Sequence, residues 1–203
     1  MELASVIEHT LLKPTATVDD IRRLCAEAVH YKFAAVCVNP CYVKLAAHLL
    51  AGTTVKTVTV IGFPLGASLT AVKVFEAQQA VLDKADELDM VMNLGAAKTG
   101  VWPAVLEDIR QVVQAVPDKI VKVIIETAAL SPSEIEQACQ VCLEAGAHYV
   151  KTSTGFGPGG ATVEAVKLIK SIVGDKLGIK AAGGIRTREQ AEQLLVAGAT
   201  SIG

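Results

Sequence analysis

Aromatic side chains are scarce in this chain, with four Phe, three Tyr and one Trp in 203 residues. Surfaces that stack nucleic-acid bases draw on such rings, so their scarcity argues against that function. An excess of one charge sign is missing too. The 19 basic and 21 acidic residues leave a formal charge of -2, which creates no global field for nucleic acid or an anionic membrane. Long apolar runs are absent. The longest stretch free of charge, residues 57–72, contains Gly62, Pro64 and Gly66 and is too short and too broken for a membrane helix. The opening MELASVIEHTLLKP has no basic segment ahead of an apolar one, so no secretory leader is expected and the reading is cytoplasmic.

Cysteine is also sparse, and the five present are an odd number in a compartment expected to keep thiols reduced. Cys139 and Cys142 form a C-x-x-C inside SPSEIEQACQVCLEAG. That segment reads as a capped amphipathic helix, where an i,i+3 pair places two small apolar side chains on one face. A zinc site needs a second pair, which the chain lacks, and histidines 9, 30, 48 and 148 have no ligand spacing. No metal and no cofactor is expected.

Aliphatic residues and glycine fill the gap, with 51% hydrophobic residues and 16 Gly. Short β-branched runs alternate with helical periods from end to end. Strands are predicted at 5–10, 34–38, 57–63, 88–92, 121–126, 148–152, 178–181 and 200–202. Helices are predicted at 18–31, 43–50, 70–82, 103–115, 132–145, 162–172 and 187–196. Ser131, Pro132 and Glu134 supply a cap, a first-turn proline and a capping-box acid. The repeated Ala-Gly-Ala endings at 145–147 and 197–199 turn the chain into the next strand. Near-continuous Val/Ile strands such as VKVIIET imply parallel strands covered on both faces. Eight units in this length predict an α/β fold, a (β/α)8 TIM barrel, with an open doubly wound sheet as the rival. No linker divides the chain, so residues 1–203 are expected to form a single domain.

Working residues of such a barrel lie at the C-terminal ends of strands. Lys151 and Lys180 each sit in an apolar strand, four residues before Gly155 and three before Gly183. Neighbouring parallel strands are ~4.8 Å apart, so two inward ammonium groups would disfavour each other, and at least one amine is expected to lose its proton readily. A neutral amine attacks carbonyls. The alternative is that both lysines snorkel to water. Asp89 shares a strand face with Val91 and Asn93 and is the candidate acid, needing a cationic partner if buried. Glu126 ends a further strand and could serve as support. Thr154-Gly155-Phe156-Gly157-Pro158-Gly159-Gly160 and Gly183-Gly184-Ile185-Arg186 each lead from strand to helix, as a phosphate grip does. Gly155, Gly157 and Gly160 also fit G-x-G-x-x-G, but the acid that a dinucleotide site needs about 20 residues on is missing.

Seven segments carry a family resemblance: IEHTLLKP, AAVCVNP, TVIGFPLGA, LDMVMNLGA, KVIIETA, VKTSTGFGPGGAT and IKAAGGIRT. Spread over nearly the whole chain, they resemble deoxyribose-phosphate aldolase. The resemblance implies a class I, metal-free lyase that reversibly cleaves 2-deoxy-D-ribose 5-phosphate to acetaldehyde and D-glyceraldehyde 3-phosphate. It implies Lys151 as the Schiff-base lysine, Lys180 as the lysine that tunes it, Asp89 as the proton-relay acid and Cys37 as a site-lining cysteine. Thr154, Gly155, Gly183 and Gly184 are expected at the substrate phosphate. Expected partners are the phosphorylated sugar and aldehyde substrates, with no nucleic acid and no membrane; a homo-oligomer stays open. Two departures stand out. Ala182 replaces a common serine, and the chain stops at Thr200-Ser201-Ile202-Gly203 where the family commonly continues. That second departure sets the expectation of a barrel shortened at its C-terminus, with the Gly203 carboxylate near the phosphate. A different lysine aldolase, or a silent binder of phosphorylated metabolites, remains the alternative reading.

Overall fold

Because each strand is apolar on both faces, it can be buried only if helices cover it outside and other strands face it inside, and a closed ring meets both demands. In the computed structural model, which describes residues 3–203, eight strands form one parallel sheet in chain order. They are β1 Glu8–Leu11, β2 Ala35–Val38, β3 Lys56–Ile61, β4 Glu87–Val91, β5 Ile120–Ile124, β6 Tyr149–Lys151, β7 Gly178–Ala181 and β8 Ser201–Ile202. A parallel bridge between Ile7 and Ile202 joins the last strand to the first. The chain is a (β/α)8 barrel, and the open-sheet rival is excluded.

The helices are α1 Val18–His30, α2 Val43–Leu49, α3 Thr70–Leu82, α4 Leu94–Lys98, α5 Trp102–Ala115, α6 Pro132–Ala145, α7 Val163–Val173 and α8 Arg188–Ala197. Their starts follow the expected cap chemistry. Ser131 and Glu134 close a reciprocal capping box on α6, and Thr17 with Asp20 does the same for α1. Gly146 and Gly198 end α6 and α8 in the left-handed region. Two elements depart from the sequence reading. The strand expected from residue 5 begins at Glu8, because a 3-10 turn occupies Leu3–Val6. The five-residue α4 was not expected. It is nucleated by Asn93, whose side chain accepts the Ala96 N–H at 3.0 Å, and is too short to show a period.

Side chains from β2 and β3 fill one side of the barrel interior with an apolar group of Ala35, Cys37, Val58 and Val60, joined by Leu12. The other side is ionic and forms the site. Cys139 and Cys142 lie buried on α6. Burial pushes the Cys139 thiol up to about 12, which makes it a core residue and a poor nucleophile. The charged residues of α3 turn inward. Lys73 reaches Asp108 of α5 at 2.5 Å and the Val91 carbonyl at 3.0 Å, while Glu76 accepts the Gly62 N–H at 2.7 Å. Leu69, just ahead of that helix, and Val72, Phe75 and Leu82 on it are left exposed.

Candidate active site

Register brings the candidate amines together. Lys151 of β6 and Lys180 of β7 are direct Cα partners across the two strands, so their side chains leave the sheet on the same face. Their exposures of 2% and 0% exclude the snorkelling alternative. Between them stands Asp89 of β4, completely buried. Its Oδ2 accepts from Lys151 Nζ at 2.7 Å and from Lys180 Nζ at 2.6 Å. Its Oδ1 accepts from Lys122 Nζ of β5 at 3.1 Å. One carboxylate thus holds three amines.

Glu8 of β1 completes the floor. It accepts from Lys180 through Oε2 and from the Ser201 hydroxyl at 2.8 Å through Oε1. Glu87 stands farther down, 2.6 Å from Lys122 and 2.6 Å from the half-exposed Lys56. Burial pushes the Asp89 carboxyl up, but the ammonium groups of Lys122, Lys151 and Lys180 reverse this and hold it well below the usual carboxylate range. For Lys180, burial pushes the amine down, and Asp89 and Glu8 more than restore it, so it is raised above the ordinary lysine value. Lys122 is raised as well, by Asp89, Glu8 and Glu87 against burial and against Lys180.

Like-charge repulsion sets the expectation that at least one of the two lysines gives up its proton readily, and Lys180 is not that one, because Asp89 and Glu8 flank it and raise it. Contacts tell the three buried amines apart. Inside the barrel Lys122, Lys151 and Lys180 face Glu8, Glu87 and Asp89, while Lys56 reaches Glu87 from a half-exposed position. Lys151 has one carboxylate partner, Asp89. Of the three amines around Asp89, it alone lines the cavity above the floor.

That cavity has a volume of about 300 Å³ and is bordered by Lys151, Thr154, Gly155, Gly183 and Gly184, with Leu12 and Lys13 on the β1 side. Its two glycine loops form one bonded unit. The Ala161 N–H donates to the Gly183 carbonyl at 3.0 Å, and a Cβ on Gly160 would lie 2.1 Å from that same oxygen. Glycine at 160 is therefore required by loop packing, which accounts for this G-x-G-x-x-G match. Cys37 is fully buried in the apolar half of the barrel and does not border the cavity; burial raises its thiol, against the pull of Lys180.

Glu126 fixes the loop behind the amine. It adopts a left-handed backbone at φ 55°, and its carboxylate accepts from the Thr154 N–H at 3.2 Å and from the Thr154 hydroxyl. Thr154 stands three residues beyond Lys151, so this clamp sets the turn leaving β6. Glu126→Ala should cost ~1–3 kcal/mol of stability by stranding the Thr154 donors. It should also lower turnover roughly ten- to a hundred-fold by letting the loop shift. Thermal melts and steady-state kinetics check both; unchanged values would remove Glu126 from the account.

The structure brings Lys151, Lys180 and Asp89 together and adds Glu8 and Lys122, which the sequence reading does not single out. A signal for Lys122 was available. It is a lone lysine between Val121 and Val123, the same feature that marked the other two.

A family-wide sequence pattern described as DeoC/LacD family aldolase matches residues 6–202. A protein from Thermotoga petrophila named deoxyribose-phosphate aldolase is 58% identical over 202 residues, covering 100% of this chain and 82% of that protein. A protein of the same name from Thermoanaerobacter sp. is 54% identical over 206 residues, covering 100% of this chain and 92% of its own length. Among solved structures, "QR15, an Aldolase" aligns with a TM-score of 0.96 at 43% identity, covering 100% of this chain and 91% of its own. A tetrameric deoxyribose phosphate aldolase from Aeropyrum pernix aligns with a TM-score of 0.93 at 36% identity, covering 99% of this chain and 86% of its own.

Proposed function

The chain belongs to the DeoC/LacD family of aldolases, and from that premise we propose that it is a deoxyribose-phosphate aldolase with Lys151 as its nucleophile. The reaction is the reversible cleavage of 2-deoxy-D-ribose 5-phosphate to acetaldehyde and D-glyceraldehyde 3-phosphate. The observation that carries the assignment is where Lys151 stands. Lys151 is the one lysine that both touches Asp89 and borders the cavity.

The open-chain sugar presents its C1 aldehyde to Lys151 Nζ. Attack gives a carbinolamine, and loss of water from it gives an iminium on Nζ. The positive nitrogen draws electrons from the C2–C3 bond, the one whose breakage releases a two-carbon fragment. As that bond breaks, the C3 hydroxyl loses its proton and becomes the aldehyde of glyceraldehyde 3-phosphate, and the electron pair enters the enamine of acetaldehyde. Protonation at C2 and hydrolysis then free the amine. Asp89, ionised and shared with Lys180, is the group we assign to take and return these protons. Lys180 keeps its charge and supports the ionised state of Asp89. Thr154, Gly155, Gly183 and Gly184 are assigned to the phosphate end, which anchors the substrate so that C1 meets the amine. Cys37 is assigned a packing role beside the floor. A direct assay is release of glyceraldehyde 3-phosphate from 2-deoxyribose 5-phosphate, followed with a coupled dehydrogenase; no release at high enzyme concentration would defeat the assignment.

Self-assembly belongs to the same proposal. It is supported by the tetrameric Aeropyrum pernix relative and by the uncharged outer side of α3, where Leu69, Val72, Phe75 and Leu82 are exposed. No helix among the described residues is long and apolar enough to cross a membrane, so a membrane span does not account for that surface. Light scattering should find an oligomer for the parent chain and a monomer for Phe75→Glu; identical masses would place any interface elsewhere.

A further inference from the structure

The glycine loops explain how a phosphate could be hydrogen-bonded but not how its charge is met. Their backbone N–H groups are neutral donors. Of the cations near the cavity, Lys151 is committed to Asp89 and to the carbonyl, while Lys122 and Lys180 lie buried beneath the floor. Arg186 does not border the cavity itself but lines an adjoining groove, which shares Thr10, Ile185 and Gly203 with it. One more cation borders the cavity. Lys13, exposed on the segment leaving β1, shares that wall with Gly155, Gly183 and Gly184, and among the described residues no ion pair engages it.

Its position is built. Pro14 follows it and holds residue 13 away from helical backbone. The segment is pinned on both sides of the lysine, because Asn39 Nδ2 donates to the Leu12 carbonyl at 3.2 Å and the Tyr42 hydroxyl donates to the Ala16 carbonyl at 2.5 Å. The backbone under Lys13 is therefore fixed at the barrel mouth, and its four-carbon stem can carry the ammonium across a cavity of this size. We propose that Lys13 is the residue that pairs with the substrate phosphate, and that it sets the preference for phosphorylated over free sugars. The proposal rests on the aldolase reading for its substrate, but not for its chemistry, which is capture of a phosphate dianion by a lysine and two glycine turns.

Two measurements on the full chain separate these matters. The first is binding of inorganic phosphate by calorimetry or NMR titration, for the parent chain, Lys13→Gln and Lys13→Arg. Lys13→Gln should weaken it about tenfold, and Lys13→Arg should retain most of it. The second is the ratio of kcat/KM for 2-deoxyribose 5-phosphate to that for 2-deoxyribose. That ratio should fall about tenfold in Lys13→Gln, mainly through KM, and added salt should erode it less than in the parent chain. Phosphate binding insensitive to Lys13, or an equal loss on both sugars, would overturn the proposal. Lys13-dependent phosphate binding in a chain that cleaves neither sugar would uphold it and defeat the aldolase reading instead.

Discussion

Lys151→Ala should abolish turnover, by at least ~10⁴-fold in kcat, while leaving the protein folded with a melting temperature within a few degrees of the parent. Both halves of that expectation come from the contacts of Lys151. Removing Lys151 takes away the only amine that both contacts Asp89 and borders the cavity, so no iminium can form. It also leaves Asp89 with two other ammonium partners, Lys122 and Lys180. A buried carboxylate that keeps two partners is not stranded, so the fold should tolerate the change. Kinetics and a thermal melt on the same sample test this. Retained activity would show that Lys151 is not the nucleophile, and a collapsed fold would show that Lys122 and Lys180 do not suffice to hold Asp89.

Asp89→Asn should fail differently, losing activity and stability together. The substitution removes the negative charge that Lys122, Lys151 and Lys180 share and leaves Glu8 as the sole carboxylate beside Lys180. Breaking a buried ionic group by deleting one member costs ~3–5 kcal/mol, which in a domain of this size corresponds to roughly 10 °C. Loss of the proton carrier should lower kcat by ~10²–10⁴. The pH dependence follows from the depressed Asp89 carboxyl. A group whose folded value lies below its unfolded value of ~3.9 stabilises fully above that pH and loses the contribution as pH falls toward the folded value. The stability gap between parent and Asp89→Asn should therefore be flat through neutral pH and narrow below about pH 4. A gap that widened on acidification would show that Asp89 is not held ionised by its lysines.

Much of this site is legible in the amino-acid sequence, and the reasons are local. Lys151 and Lys180 declare themselves because a lysine in an apolar strand at a fixed distance before a glycine turn constrains both face and height, and the observed pairing of the two residues follows from that. Asp89 is legible from strand alternation alone. Glu8 is not. Its partners Lys180 and Ser201 lie 172 and 193 residues away in the chain, and only closure of the ring brings β1 beside β8. Without Glu8 the two lysines look like a repelling pair, and nothing local shows that Lys180 is the one flanked by two carboxylates. The Glu126–Thr154 clamp is hidden for a similar reason: it depends on a left-handed residue that no local pattern specifies. Lys13, polar and in a loop, reads as solvent-facing until the folded barrel sets it in the cavity wall.

If Lys151, and not its neighbours, condenses with the carbonyl, reductive trapping will mark it. The protein is incubated with acetaldehyde and borohydride, digested, and its peptides mapped by mass. One ethyl group per chain is expected, located on Lys151, with Lys122 and Lys180 unmodified. An adduct on Lys180, or an active enzyme that traps nothing at Lys151, would contradict it.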